Sequence, residues 1–176
     1  MKSLILYSSL TGNTKKIAQS IYDTMQGEKE IKNISEVTDN NVDYEKYDII
    51  FLGYWVDKGI CDKNSKLVFE NIHNKKLALF GTMGANTKGN YGINIMDKVK
   101  DVFSKDNEIV GSFICQGKIA EGLKVKYEEM LKLHPENEHI REQLKGHEES
   151  QSHPDEQDVS EAVRFTKDIM AKVSDM

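Results

Sequence analysis

A short hydroxyl-rich turn, Ser9-Leu10-Thr11-Gly12-Asn13-Thr14, stands directly after the apolar run Leu4-Ile5-Leu6-Tyr7. The run is short and bounded by serines, which predicts a buried strand, while Ile17, Ala18, Ile21, Tyr22 and Met25 recur at helical spacing over Lys15 to Met25. A strand therefore stops and a helix starts at this turn. The first turn of a helix presents unpaired backbone N–H groups and the positive end of its dipole, and Ser9, Thr11 and Thr14 add hydroxyl donors. Gly12 lets the backbone approach closely. The stretch reads as an anion cradle.

Two better-known phosphate binders do not fit it. A nucleoside-triphosphate loop needs Gly-x-x-x-x-Gly-Lys-Ser/Thr, and Asn13 follows Gly12 where the lysine would stand. A dinucleotide fingerprint needs three spaced glycines, and this turn has one. Hydroxyls and amides suit a monoester phosphate neutralised by hydrogen bonds and the helix dipole. The plain alternative is a capped helix start whose Thr and Asn serve only the backbone.

Further along, Glu30 to Val37 alternates charged and apolar residues, as a half-exposed edge strand does. Tyr47 to Gly53 predicts a buried strand and Gly53 to Gly59 a loop leaving it. Asp62 to His73 reads as a helix with Leu67, Val68 and Ile72 inward and Asp62 as a cap. A strand over Lys76 to Phe80 follows, closed by Gly81 to Ala85. Ile93, Met96, Val99, Val102 and Phe103 then form a helical stripe, and Ile109 to Cys115 another strand. Strands alternating with helices imply an α/β fold: a doubly wound, five-stranded parallel sheet of order 2-1-3-4-5. Its ligand crevice lies at the carboxyl ends of strands 1 and 3. Three loops meet there: Ser9 to Thr14, Tyr54 to Gly59, and Thr82 to Tyr91.

The chain is expected to form one domain over residues 1–176, with a polar helical insertion at 119–151 and a C-terminal helix at 152–173. Leu123, Tyr127, Met130 and Leu131 predict one helix in the insertion, and Ile140 and Leu144 a second. Ser152, Pro154 and Asp155 form a helix start with Ser152 as the cap, and Val159, Ala162, Val163, Phe165, Thr166, Ile169, Met170 and Val173 supply the buried side. The insertion is expected at the surface.

Net charge is -5, which argues against nucleic acid and fits a basic patch on a protein partner. Cys61 and Cys115 form no Cys-x-x-Cys or zinc spacing, no run is long enough to insert in a membrane, and the apolar stretch after Met1 is too short for a signal peptide. A cytoplasmic protein is expected. His134, His139, His147 and His153 have irregular spacing with no cysteine among them, so they read as a solvated helical surface and no metal site is expected.

The Ser-x-Thr-Gly-Asn-Thr pattern, the strand spacing and the glycine-containing later loops resemble the flavodoxin family over about residues 1 to 118. The resemblance implies FMN as cofactor, with its phosphate held by Ser9, Leu10, Thr11, Gly12, Asn13 and Thr14. Tyr54, Trp55, Val56, Asp57, Lys58 and Gly59 would form the second loop, and Thr82, Met83, Gly84 and Ala85 the third, whose amides meet the pyrimidine edge of the flavin. Gly59 would supply the peptide that turns when the flavin takes up one electron.

The details depart from the family at Met83 and Ala85, where many flavodoxins carry an aromatic over the ring, so Trp55 or Tyr91 takes that role if any residue does. Trp55 reads equally well as rim packing. Cys115 reads as a small buried hydrophobe. The segments Phe113 to Lys118 and Ser152 to Asp155 are similar to a longer branch from anaerobic bacteria, some of whose members are associated with reductases of linear tetrapyrroles such as bilirubin.

No catalytic side chain is required of a protein whose cofactor does the chemistry. The leading expectation is an FMN-binding electron-transfer protein that serves partner redox proteins, a reductase or an electron donor, and is a carrier rather than a stand-alone enzyme. The alternatives are an FMN-dependent NAD(P)H oxidoreductase acting on a quinone or linear tetrapyrrole, and a cofactor-free accessory or regulatory module.

Overall fold

The computed structural model describes residues 1–37 and 42–175. Among these residues, six strands and six α-helices follow one another: β1 Lys2–Tyr7, α1 Asn13–Thr24, β2 Glu28–Asn33, β3 Ile49–Asp57, β4 Ile60–Cys61, α2 Lys63–Phe69, β5 Lys76–Met83, α3 Asn90–Phe103, β6 Glu108–Gln116, α4 Glu121–Leu133, α5 Glu138–Ser150 and α6 Glu156–Ser174. Strands β2-β1-β3-β5-β6 lie side by side and parallel, which is the expected order, and the short β4 pairs antiparallel with β3.

Side chains alternate across a strand, so each central strand feeds two cores. Leu4, Leu6, Ile50, Leu52, Leu77 and Leu79 pack with Phe69, Ile95, Val99 and Phe103 of α2 and α3. Ile5, Tyr7, Ile49, Phe51, Ala78 and Phe80 pack with Ile17, Ala18 and Ile21 of α1 and Ala162, Ile169 and Val173 of α6. This burial on both faces explains why the strands read as continuous apolar runs.

Several boundaries differ from expectation, each for a physical reason. β3 does not leave the sheet at Gly53 but runs on to Asp57. Gly53 is opposite Phe80, and a Cβ there would come within 2.3 Å of that ring; Tyr54 is opposite Gly81, where a Cβ would come within 2.6 Å of the tyrosine ring. The two glycines therefore accommodate aromatics of the neighbouring strand rather than opening a loop. β3 and β4 then form a hairpin through Lys58 (φ 50) and Gly59 (φ 82), positive φ at both central residues being the favoured geometry for so tight a turn.

At the sheet edge, β2 ends at Asn33, whose side chain accepts from the Ser35 N–H and starts a short 3-10 turn over Ile34–Glu36. Asp62 caps α2 as expected, but the helix is shorter and turns Ser65 and Phe69 inward, leaving Leu67 exposed. In α3 the buried stripe is Gly92, Ile95, Val99 and Phe103, with Ile93 exposed. The cap of α6 is Asp155 rather than Ser152: its carboxylate accepts from the Asp158 N–H while the Asp158 carboxylate accepts from the Asp155 N–H. Pro154 thus stands before the helix and not in its first turn.

Candidate functional site

The turn after β1 is built as a donor surface. Gly12 holds the position before α1 with φ 89, and a Cβ there would meet nothing within 4 Å. The Lys15 N–H donates to Ser9 Oγ (3.2 Å) and the Lys16 N–H to the Gly12 carbonyl (3.0 Å). Among the described residues, no acceptor meets the N–H groups of Thr11, Gly12, Asn13 and Thr14. Two side chains expected to face an anion are otherwise engaged. Thr14 is buried and shares a 2.9 Å hydrogen bond with the Thr82 hydroxyl, and Asn13 Nδ2 donates to Thr11 Oγ1 (2.8 Å) and to the Lys118 carbonyl (2.9 Å). They tie the turn to the ends of β5 and β6, so the cradle itself is mainly backbone.

Asp62 does more than cap α2. Its carboxylate is buried and accepts from Ser8 Oγ (3.0 Å), the Ser65 N–H (3.0 Å) and Ser65 Oγ (2.6 Å), while its own N–H donates to the Trp55 carbonyl (2.9 Å). The base of the first loop, the end of β3 and the start of α2 are thereby fixed by one side chain. A carboxylate with this many donors is a strong acceptor in a dry site.

A cleft of 450 Å³ opens over these elements, within the range of small-molecule and cofactor sites. Of the residues singled out from sequence, Leu10, Thr11, Asn13, Trp55, Val56, Thr82, Met83, Gly84 and Ala85 line it. Ser9, Gly12 and Thr14 belong to the cradle beside it. Tyr54 does not face it: its ring is fully buried over Gly81, with burial pushing the phenol up. Asp57, Lys58 and Gly59 form the hairpin tip, which lies toward Ile95 of α3. Tyr91 is 53% exposed on the first turn of α3 and does not line the cleft.

The remaining lining was not anticipated residue by residue. Asn86 comes from the third loop; Lys118, Ile119 and Ala120 from the connector after β6; Leu123 from α4; and Glu142, Gln143 and Gly146 from α5. The insertion therefore walls the cleft. Its one sequence signal was Gly146, a glycine inside a helix where that residue is disfavoured. His147 overturns the expectation of a solvated histidine surface: it is buried, within reach of the Gln151 amide. His153 lies against Asp158 at the start of α6.

Both cysteines are buried and free. Burial, then the adjacent Asp62 charge, pushes the Cys61 thiol up to about 11, and burial pushes Cys115 up too. Neither is poised as a thiolate.

A family model described as a flavodoxin domain matches residues 4–167. This chain belongs to the flavodoxin family. Its relatives include the flavodoxin-like domain-containing protein BilS of Clostridioides difficile (strain CD3), 71% identical over 174 residues and 99% of either chain. BilS of Clostridium symbiosum (strain WAL-14163) is 26% identical over 94% of either chain. Oxidised flavodoxin 1 of Bacillus cereus shares the fold with a TM-score of 0.62 at 16% identity, over 97% of this chain and 98% of its own. The Lactobacillus acidophilus flavoprotein, crystallised in complex with FMN, has a TM-score of 0.52 at 22% identity, over 64% of this chain and 92% of its own.

FMN is the cofactor of the flavodoxin family, and the residues present fit it. Free backbone donors stand at the start of α1, where a phosphate is favoured, and Leu10, Val56, Met83, Ala85, Ile119 and Leu123 give the adjoining cleft an apolar lining suited to a ring system. Among the described residues, no helix is long and apolar enough to cross a membrane.

Proposed function

We propose that this protein holds FMN in the cleft and exchanges electrons with partner redox proteins, turning over no substrate by itself. The observation that carries this reading is the cleft's lining. Donors at Thr11 to Thr14 adjoin an apolar chamber whose described charged residues are Lys118 and Glu142, with no His, Arg or Tyr among them. When bound, FMN supplies one- and two-electron chemistry. The protein's own groups bind and orient: the cradle takes the phosphate, Trp55, Val56 and Met83 pack the ring system, and Asp62 keeps the first two loops in register. A nicotinamide dinucleotide carries further phosphates, for which Lys118 is the one cation among the described lining residues. The net charge of -5 supports a partner with a basic docking patch.

The enzyme alternative draws on one observation, that the helical hairpin encloses the cleft and offers Glu142 and Gln143 to it. Titration of the apoprotein with FMN and with riboflavin, followed by fluorescence quenching, tests the reading. FMN is expected to bind about 100-fold or more tightly, since riboflavin forgoes several charge-assisted hydrogen bonds. Equal affinities would remove the phosphate cradle. NAD(P)H oxidation by the loaded protein alone is expected to be slow, and rapid turnover with quinone or bilirubin supplied would establish the enzyme alternative.

A further inference from the structure

The third loop brings Met83, Gly84, Ala85 and Asn86 to the cleft, and side chains of the connector after β6, of α4 and of α5 line the same cleft. We propose that the α4–α5 hairpin is part of the cofactor site, with Ile119, Leu123 and the α5 face at Gly146 forming the wall against which the flavin ring packs. This rests on the FMN reading above and extends it to a part of the chain outside the three loops.

The connector that begins the hairpin is held on both sides. Toward the sheet, the Gly117 N–H donates to the Met83 carbonyl (2.9 Å), Gln116 Nε2 to the Gly84 carbonyl (3.0 Å) and Asn13 Nδ2 to the Lys118 carbonyl (2.9 Å). Toward α5, the Ile119 N–H donates to Ser150 Oγ (3.1 Å) and Gln151 Nε2 donates to the Ile119 carbonyl (3.3 Å). Ile119 itself packs on Gly84, where a Cβ would come within 2.6 Å of it. The wall is thereby anchored to the phosphate turn and to the third loop at once.

Gly146 gives an independent reason. Glycine is disfavoured within a helix, yet a Cβ at Gly146 would meet no atom within 4 Å. The protein's own packing does not require a glycine there. The position lines the cleft, so the space left open is space that a ligand can use. Leu123 lines the same cleft while still 37% exposed, an apolar surface that a ring would cover.

FMN titrations of wild type, Gly146→Leu and Leu123→Asp test the wall, with apoprotein melting and the flavin's visible spectrum recorded for each. Gly146→Leu is expected to melt at or above the wild-type temperature and to weaken FMN at least about tenfold, because the side chain strengthens the helix and enters the cleft. Leu123→Asp is expected to weaken FMN by about tenfold and to alter the visible band as water reaches the ring. Leu133→Asp, at the far end of α4, is expected to leave both unchanged. If wild type binds FMN and the two cleft variants match it in affinity and spectrum, the wall is wrong and the cradle stands. If wild type binds no FMN, both readings fall together.

Discussion

The cleft has two sides made by different means. One side comes from the carboxyl ends of β1, β3 and β5, whose residues populate both hydrophobic cores. The other comes from α4 and α5, which contribute no described residue to either core cluster. α4 buries nothing, and α5 buries Ile140, His147 and Ser150. The sheet side is fixed by packing, whereas the connector that leads into the hairpin is tied to α5 by hydrogen bonds of Ile119 with Ser150 and Gln151. Packing is worth far more than a few such bonds, so the site joins a stable floor to a wall of lower local stability.

Removing packing from each side is expected to have the largest effect. Phe51 is fully buried in β3 and meets Phe165 of α6 edge-on at 6.1 Å. Phe51→Ala is expected to cost about 3–5 kcal/mol in urea unfolding. Ile140→Ala removes the best-buried aliphatic of the hairpin and is expected to cost clearly less. An equal loss from both would mean that the hairpin shares the core's cooperativity.

How far each side was legible follows from the same difference. β1, β3 and β5 are buried on both faces and announce themselves as apolar runs, so their order and the convergence of the loops could be read directly. Gly53 and Gly81 misled locally, because a glycine under a neighbouring strand's aromatic looks the same in sequence as a glycine opening a loop. Tyr54, taken for a loop residue, is for that reason a core residue. The hairpin residues that line the cleft were not legible for a different cause. Helices that bury little carry weak periodicity, and Glu142, Gln143 and Gly146 acquire meaning only once α5 lies beside the third loop. His147 resembled its exposed neighbours His134 and His139, and only tertiary packing separates it from them.

A smaller effect is expected at the β3–β4 hairpin, on the sheet side but outside the cleft lining. Gly59 has φ 82, a conformation in which a β-branched side chain is strained, although the space around its Cβ direction is open to within 3.9 Å of Ile95. Gly59→Val is expected to cost about 1–3 kcal/mol through backbone strain, with FMN affinity changing only a few-fold because cradle and lining are untouched. Urea unfolding and an FMN titration on the same variant check both halves. A large loss of affinity at unchanged stability would move the hairpin tip into the site and shift the boundary of its sheet side.

The smallest effect is expected at the far end of the hairpin, where Leu133 closes α4. It is 76% exposed, so truncation removes few contacts, and alanine is as good a helix former as leucine or better. Leu133→Ala is therefore expected to change unfolding free energy by less than about 0.5 kcal/mol. Leu133 is among the most exposed apolar residues of the chain, and a partner or second copy would be its other use. A loss of more than about 1 kcal/mol that grows with protein concentration would show Leu133 buried between copies of the chain. The hairpin would then draw stability from association, and its wall of the cleft would be firmer in the assembly than in the isolated chain.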